Sequence, residues 1–172
     1  MASRQVLLVG VLAALAIPGA ALARAGAAPS FATKAAEGGM AEVQLGKLAS
    51  DHASNMDVRD FAQRMVTDHS KADDELMRIA RDKGWTLPQH PGSSQRAEAN
   101  RLSKESGTAF DRSYMREMTS DHDKDVAMFR SYAKSGKDPD LRAWAQKTLP
   151  TIEEHQRLAH STSDKLGSSA PR

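Results

Sequence analysis

From Phe31 onward, apolar residues recur every three or four positions in four long stretches, each separated from the next by helix-breaking residues. That spacing is the mark of amphipathic helices. The first stretch places Phe31, Ala35, Gly38, Glu42, Leu45 and Ala49 on one seam, with a single carboxylate in its middle. The second runs Val58, Ala62, Met65, His69, Ala72, Leu76, Ile79, with Asn55 available as an N-cap and Gly84 as a C-terminal stop. A third helix is predicted to begin near Thr108 or Ala109 and to end at Ser135-Gly136, with Met115, Met118, His122, Val126, Phe129 and Ala133 on its stripe. The fourth follows Asp138-Pro139, a capping residue and a first-turn proline. It presents Leu141, Trp144 or Ala145, Thr148, Ile152, His155, Ala159 and Leu166, and Pro150 inside it should kink it.

Between the second and third stretches the pattern changes. Residues 84–108 contain Trp85, Leu87, Pro88 and the run His90-Pro91-Gly92-Ser93-Ser94, then a short polar helix up to Gly107. Such a connection is too long for a tight helix–helix turn and fits a crossover along a bundle. The prediction is all-α: a four-helix bundle over residues 31–166, with a long crossover (84–108) containing a short helix between helices 2 and 3. Beyond residue 30 the only β-branched aliphatic residues are Val43, Val58, Val66, Ile79, Val126 and Ile152, which argues further against a sheet. The pattern M-x-x-D-H-x-K occurs twice, from Met65 to Lys71 and from Met118 to Lys124, and suggests a duplicated half-bundle.

The chain opens differently. Arg4 precedes an apolar run from Val6 to Ile17, Pro18-Gly19 breaks it, and Ala21-Leu22-Ala23 offers a small-residue cleavage site. The run of about 12 residues falls short of the roughly 20 a spanning helix needs. Residues 1–23 are therefore expected to be a bacterial secretory signal peptide removed near Ala23, residues 24–30 a flexible lead and residues 167–172 a disordered tail. The mature protein is expected in the periplasm or secreted, with no membrane span after cleavage.

Composition narrows the chemistry. The 172 residues include no cysteine, which excludes disulfides, thiolate zinc sites, iron–sulfur clusters and thiol nucleophiles. With 24 basic and 22 acidic side chains interspersed, the formal charge of +2 gives no field that would recruit nucleic acid. Any site must use His, Asp, Glu, Met or hydroxyl groups.

Each long helix carries one acidic or imidazole group on its seam: Glu42, His69, His122 and His155. At about 1.5 Å rise per residue, their distances from the turns put all four near mid-bundle. Convergence from facing helices is what a bundle-core metal site requires. One carboxylate and three imidazoles suit zinc, iron, manganese or copper better than calcium or magnesium. Asp68, Asp121, Asp125 and Glu154 are adjacent and serve as possible secondary ligands or as acceptors that orient the imidazoles. Met40, Met65 and Met118 lie within a turn, where thioethers would favour copper, although methionine at helical spacing is ordinarily core filler. His52, His90 and His160 are expected to face solvent. The competing reading is a buried hydrogen-bonded layer that sets helix register and holds no metal.

Several chemistries have no support. Asp121-His-Asp123-Lys-Asp125 begins like an EF-hand loop, but Val126 stands where the turn glycine belongs and Tyr132 where the bidentate glutamate belongs. No H-E-x-x-H, G-x-S-x-G, P-loop or dinucleotide fingerprint is present. The E-x-x-H pair of di-iron bundles is missing too, since Val66, Thr119 and Ile152 stand three residues before the seam histidines. No catalytic residues are assigned.

Gly38-Gly39-Met-Ala-Glu42-Val-Gln-Leu-Gly46, Val58-Arg-Asp-Phe61-Ala62-Gln-Arg-Met65-Val-Thr-Asp68-His69, Phe110-Asp111-Arg-Ser-Tyr114-Met-Arg-Glu-Met118, Asp121-His122, and Leu149-Pro150 with His155 together resemble the bacterial domain-of-unknown-function 4142 family. The resemblance covers about residues 28–166. It implies a ferritin-like fold and export, with no established reaction. The expected function is therefore an exported ferritin-like bundle with a mid-bundle Glu/His site for a transition metal, acting in envelope stress or metal tolerance. The alternative is a non-catalytic periplasmic interaction or structural module whose His/Glu layer only specifies the bundle.

Overall fold

The computed structural model describes residues 26–168. The elements in order are β1 (Gly26–Ala27), α1 (Ser30–His52), α2 (Met56–Lys83), β2 (Trp85–Thr86), α3 (Ser93–Leu102), α4 (Gly107–Ser135) and α5 (Pro139–Ser168). The predicted signal peptide, residues 1–23, lies outside the described residues. Among the described residues no helix is long and apolar enough to cross a membrane.

The helix ends follow local chemistry. Asn55 Oδ1 accepts from the Asp57 and Val58 amides at 2.8 and 3.3 Å and so starts α2. Gly84 ends it at φ 67°, in the left-handed region where a Cβ would be strained. Asp138 Oδ1 caps α5 by accepting from Asp140 and Leu141, with Pro139 in the first turn.

The long helices pack around a square: α1 against α2 and α4, and α5 against α2 and α4. Contacts at the ends give their directions. Asp111, near the start of α4, binds the Ser54-Asn55 turn that joins α1 to α2. At the other end Lys83 Nζ, closing α2, lies 2.9 Å from Asp138 and 2.5 Å from Asp140 at the start of α5. Helices α2 and α4 therefore run parallel on one diagonal, α1 and α5 parallel on the other, and every packed neighbour is antiparallel. Joining parallel α2 and α4 requires the chain to return the length of the bundle, which the crossover with α3 does. This is the ferritin-like arrangement of two hairpins and one long crossover.

The seams read from the sequence face inward, though Gly38, Ala72 and Ile79 are only half-buried. Gly46 is a close-approach point: a Cβ there would lie 2.8 Å from the Ala62 carbonyl oxygen and 2.8 Å from Val66 Cγ2, so α1 and α2 touch almost backbone to backbone.

The expected terminal segments differ from the observed ones. Gly26–Ala27, assigned to a flexible lead, pair in parallel with Trp85–Thr86, and the Gly26 amide donates to the Gly84 carbonyl at 2.8 Å. Two extended residues beside the chain leaving α2 find free backbone partners there, which periodicity cannot report. At the other end α5 continues through Gly167 to Ser168, because Leu166 is still buried in the core. Pro150 lies inside α5 without ending it.

The repeated M-x-x-D-H-x-K motif does not mark equivalent helices of two duplicated hairpins. It sits on the second helix of the first hairpin and the first helix of the second, the diagonal pair α2 and α4.

The apolar interior forms two clusters. One gathers Leu45, Phe61, Met65, Phe110, Tyr114, Met118 and Ala159; the other gathers Phe31, Leu76, Val126, Phe129, Trp144 and Ile152. On every long helix the boundary between them falls at the polar seam residue: Glu42 between Ala36 and Leu45, His69 between Met65 and Leu76, His122 between Met118 and Val126, His155 between Ile152 and Ala159.

Candidate metal centre

Glu42, His69, His122 and His155 are 2%, 5%, 0% and 1% exposed, so the four predicted seam groups are all removed from water. The His69, His122 and His155 rings have centroids 5.2–5.8 Å apart, and one nitrogen from each lies within 4.8 Å of the others. Glu42 reaches across from α1: Oε2 is 2.8 Å from His69 Nε2 and Oε1 is 3.5 Å from His122 Nε2. These contacts have the distance of ion pairs without the alignment of hydrogen bonds. Both Glu42 oxygens, His69 Nε2, His122 Nε2 and His155 Nδ1 are buried with no hydrogen-bond partner.

The outward nitrogens of two rings are anchored. His155 Nε2 lies 2.9 Å from Asp68 Oδ2, and His122 Nδ1 lies 2.8 Å from the Met118 carbonyl oxygen. A carbonyl only accepts, and so does an ionised carboxylate, so the proton of each neutral ring sits on that outward nitrogen. The lone pairs are left on His155 Nδ1 and His122 Nε2, both in the cluster. Anchoring of this kind fixes the tautomer of metal-binding imidazoles.

Charge around the cluster is balanced internally. Burial pushes the Glu42 carboxyl up, but His69, His122 and His155 outweigh it and hold it at about 2. His69 is disfavoured as a cation by burial, yet the Glu42 carboxylate raises it above the ordinary histidine value. His155 is lowered to about 4 by burial and by the neighbouring imidazoles. The cluster thus contains one carboxylate, one imidazole that draws a proton to it, and one that resists charge.

The secondary candidates divide. Asp68 orients His155 directly. Asp125 is half-buried and lines a cleft with Glu42, and burial together with the Glu42 charge pushes its carboxyl up to about 8. Asp121 lines the same cleft, but its Oδ1 accepts from Lys124 Nζ at 3.0 Å. Glu154 pairs on the surface with Arg157 at 2.6 Å and does not join the cluster. Of the three remaining histidines, His90 is exposed and His160 is exposed beside Asp123 at 2.9 Å. His52 is only half-exposed: its Nδ1 donates to the Glu105 carbonyl at 2.6 Å and its ring packs 5.5 Å from Phe110, tying the end of the crossover to α1.

Two groups near the site escape the seam reading. Asp73, one turn beyond His69, sits where the missing Gly39 side chain would be, and burial pushes its carboxyl to about 7. Its i+4 spacing from His69 is a signal, but only the close approach of α1 makes it matter. Tyr114 is fully buried with its hydroxyl unpartnered and its ring stacked on Phe110.

Of the thioethers, Met65 and Met118 belong to the cluster of apolar residues above the polar layer, while Met40 is only partly buried against the other.

Among solved structures, the fold is similar to a DUF305 protein from Streptomyces coelicolor that is described as secreted, with a TM-score of 0.68, 15% identity and coverage of 83% of this chain and 94% of that one. At this identity the likeness is one of fold alone. No curated protein matches the chain. The family described as a domain of unknown function, DUF4142, matches residues 14–162, and the chain belongs to that family.

Proposed function

We propose that this protein is an exported helical bundle that holds one transition-metal ion through Glu42, His69, His122 and His155 and serves in metal or envelope stress tolerance. The observation that carries the reading is the convergence of five buried ligating atoms on the boundary between two apolar clusters: Glu42 Oε2 and His69 Nε2, paired with each other at 2.8 Å, and Glu42 Oε1, His122 Nε2 and His155 Nδ1, which have no hydrogen-bond partner. An unpaired buried polar atom ordinarily costs about 1–3 kcal/mol, so a group of them calls for a partner. Three imidazole nitrogens and a carboxylate suit zinc best, and also iron, manganese or copper(II). The missing E-x-x-H pair favours a single bound ion over a di-iron centre. Export rests on the apolar run Val6–Ile17 and the Ala21-Leu22-Ala23 site, and the secreted description of the DUF305 protein agrees with it.

The test is an equilibrium titration of tag-free protein, from Arg24 onward, with zinc, copper, iron and manganese. One bound equivalent and a higher melting temperature are expected, both lost in His69→Ala and His122→Ala. At a hundredfold excess over Kd, binding should add about 2.7 kcal/mol of stability. A protein that binds none of the four ions ends this reading.

A second reading has its own support: Glu42 and His69 form an ion pair at 2.8 Å, which a register-setting polar layer would also contain. It predicts that the histidine variants lose the same stability with and without metal.

A further inference from the structure

The buried cluster has one side that faces an opening. A cleft of about 460 Å³ lies between α1, α3 and α4. Exposed Lys34 and Lys124 stand at its margin, half-buried Gly38, Asp121 and Asp125 line its walls, and Glu42, only 2% exposed, belongs to its innermost wall. Glu42 thus touches two compartments. Its oxygens approach His69 and His122 at 2.8 and 3.5 Å, they have no hydrogen-bond partner, and the same side chain borders the cleft.

On the opposite side the clefts reach Asp68 but none of the four cluster residues. A cleft of about 100 Å³ between α2 and α5 reaches Asp68 and Thr148, but the 2.9 Å bond from His155 to Asp68 lies across the way to the cluster. The α1–α3–α4 cleft is lined by four carboxylates, Glu37, Asp121, Asp125 and Glu42, of which Glu42 is the most buried; Asp121 pairs with Lys124 at the margin, and Asp125 and Glu42 lie beyond that pair.

We propose that the α1–α3–α4 cleft is the route by which a divalent metal ion reaches and leaves the histidine cluster, with Asp121 and Asp125 as its first carboxylate partners and Glu42 as the ligand that passes it inward. The inference rests on the metal-binding reading above. A hydrated dication sheds its waters most readily by stepwise exchange onto carboxylates, and the carboxylates of the cleft, Glu37, Glu42, Asp121 and Asp125, outnumber its two lysines, Lys34 and Lys124. Gly38 keeps the wall open: a Cβ there would meet only the Gln95 amide nitrogen at 3.9 Å, so a longer side chain would project into the cleft rather than into the core.

The experiment is stopped-flow association of zinc ion with the tag-free mature chain, and chelator-driven dissociation, beside equilibrium Kd. Wild type is compared with Gly38→Leu, Asp125→Asn and, in the opposite cleft, Thr151→Leu. Gly38→Leu is expected to slow association and dissociation by about tenfold each, leaving Kd within about twofold. Asp125→Asn, which removes an oxygen that can exchange its proton for the ion, should slow association about threefold to tenfold. Thr151→Leu should change neither rate. Unchanged rates in Gly38→Leu and Asp125→Asn, or slowing by Thr151→Leu instead, overturn the route while equilibrium binding stands. Loss of zinc binding by wild type itself would remove the metal-binding reading. Should Gly38→Leu fail to fold, the near-isosteric Asp125→Asn decides the matter alone.

Discussion

His155 Nε2 stands 2.9 Å from Asp68 Oδ2, and this bond between α5 and α2 leaves the opposite ring nitrogen, Nδ1, buried and unpartnered at the centre of the bundle. Asp68 side-chain exposure is 34% against 1% for His155, so the pair joins the surface to the buried layer.

Asp68→Ala should therefore act on the site more than on the fold. The ring of His155 loses the acceptor that fixes its tautomer, and metal affinity is expected to fall about tenfold to a hundredfold. Competition with a chromophoric chelator gives the affinity, and an unchanged far-ultraviolet circular dichroism spectrum shows that the bundle is intact. Equal affinity in variant and wild type would remove Asp68 from the site.

The Glu42–His69 pair predicts strong non-additivity without metal. His69→Leu leaves the Glu42 carboxylate buried beside no imidazolium and should cost about 3–5 kcal/mol. Adding Glu42→Leu removes that stranded charge and should recover most of the loss. Urea unfolding of wild type, both single variants and the double variant closes the cycle; simple additivity would show that the two residues do not interact.

Acid should destabilise the metal-free protein in two steps. His155 is lowered to about 4 in the folded state, so between its ordinary value of 6.5 and that point the unfolded chain binds the extra proton and stability drops as pH falls. Glu42, held at about 2, adds a second loss from its ordinary 4.5 downward. His69 acts in the opposite direction, since its raised value gives stability that is present below 6.5 and lost as pH rises through the folded value. The measurement is melting temperature against pH in chelator, with His155→Gln as the comparison. The variant should show a shallower decline between pH 6.5 and 4, and an identical slope would contradict the role given to His155.

Asp111 is 1% exposed and accepts from the Ser54 amide at 3.0 Å, the Ser54 hydroxyl at 2.5 Å and the Asn55 amide at 3.0 Å. Asp111→Ala takes these acceptors from two backbone donors at the α1–α2 turn and should cost about 2–4 kcal/mol. Chemical denaturation with and without zinc measures it: the loss should be the same in both, because the clamp lies at the end of the bundle and the ion would sit at its middle.

Much of the bundle was legible in the order of residues, for a simple reason. A helix fixes which side chains share a face, so Glu42, His69, His122 and His155 could be placed on apolar seams and, by counting residues to the turns, at one height. Caps at Asn55 and Asp138 and the stop at Gly84 are equally local, because each depends on a side chain or backbone angle within a few residues of its partner. His52 shows the limit: the periodic pattern leaves it facing solvent, whereas the Glu105 carbonyl that holds it is 53 residues away.

Periodicity and capping chemistry alone thus gave four amphipathic helices, the approximate positions of their ends, and the seam groups Glu42, His69, His122 and His155, though not the second buried carboxylate of α4, Asp111. The packing of the helices against one another set the parallel α2 and α4 on a diagonal, turned Asp68 to His155 and Glu154 to Arg157, and left Glu42 bordering both the cluster and an open cleft. Periodicity defines a face of one helix. Partners across helices depend on how those faces rotate and cross when the apolar clusters close, and that is a property of all the helices packed together.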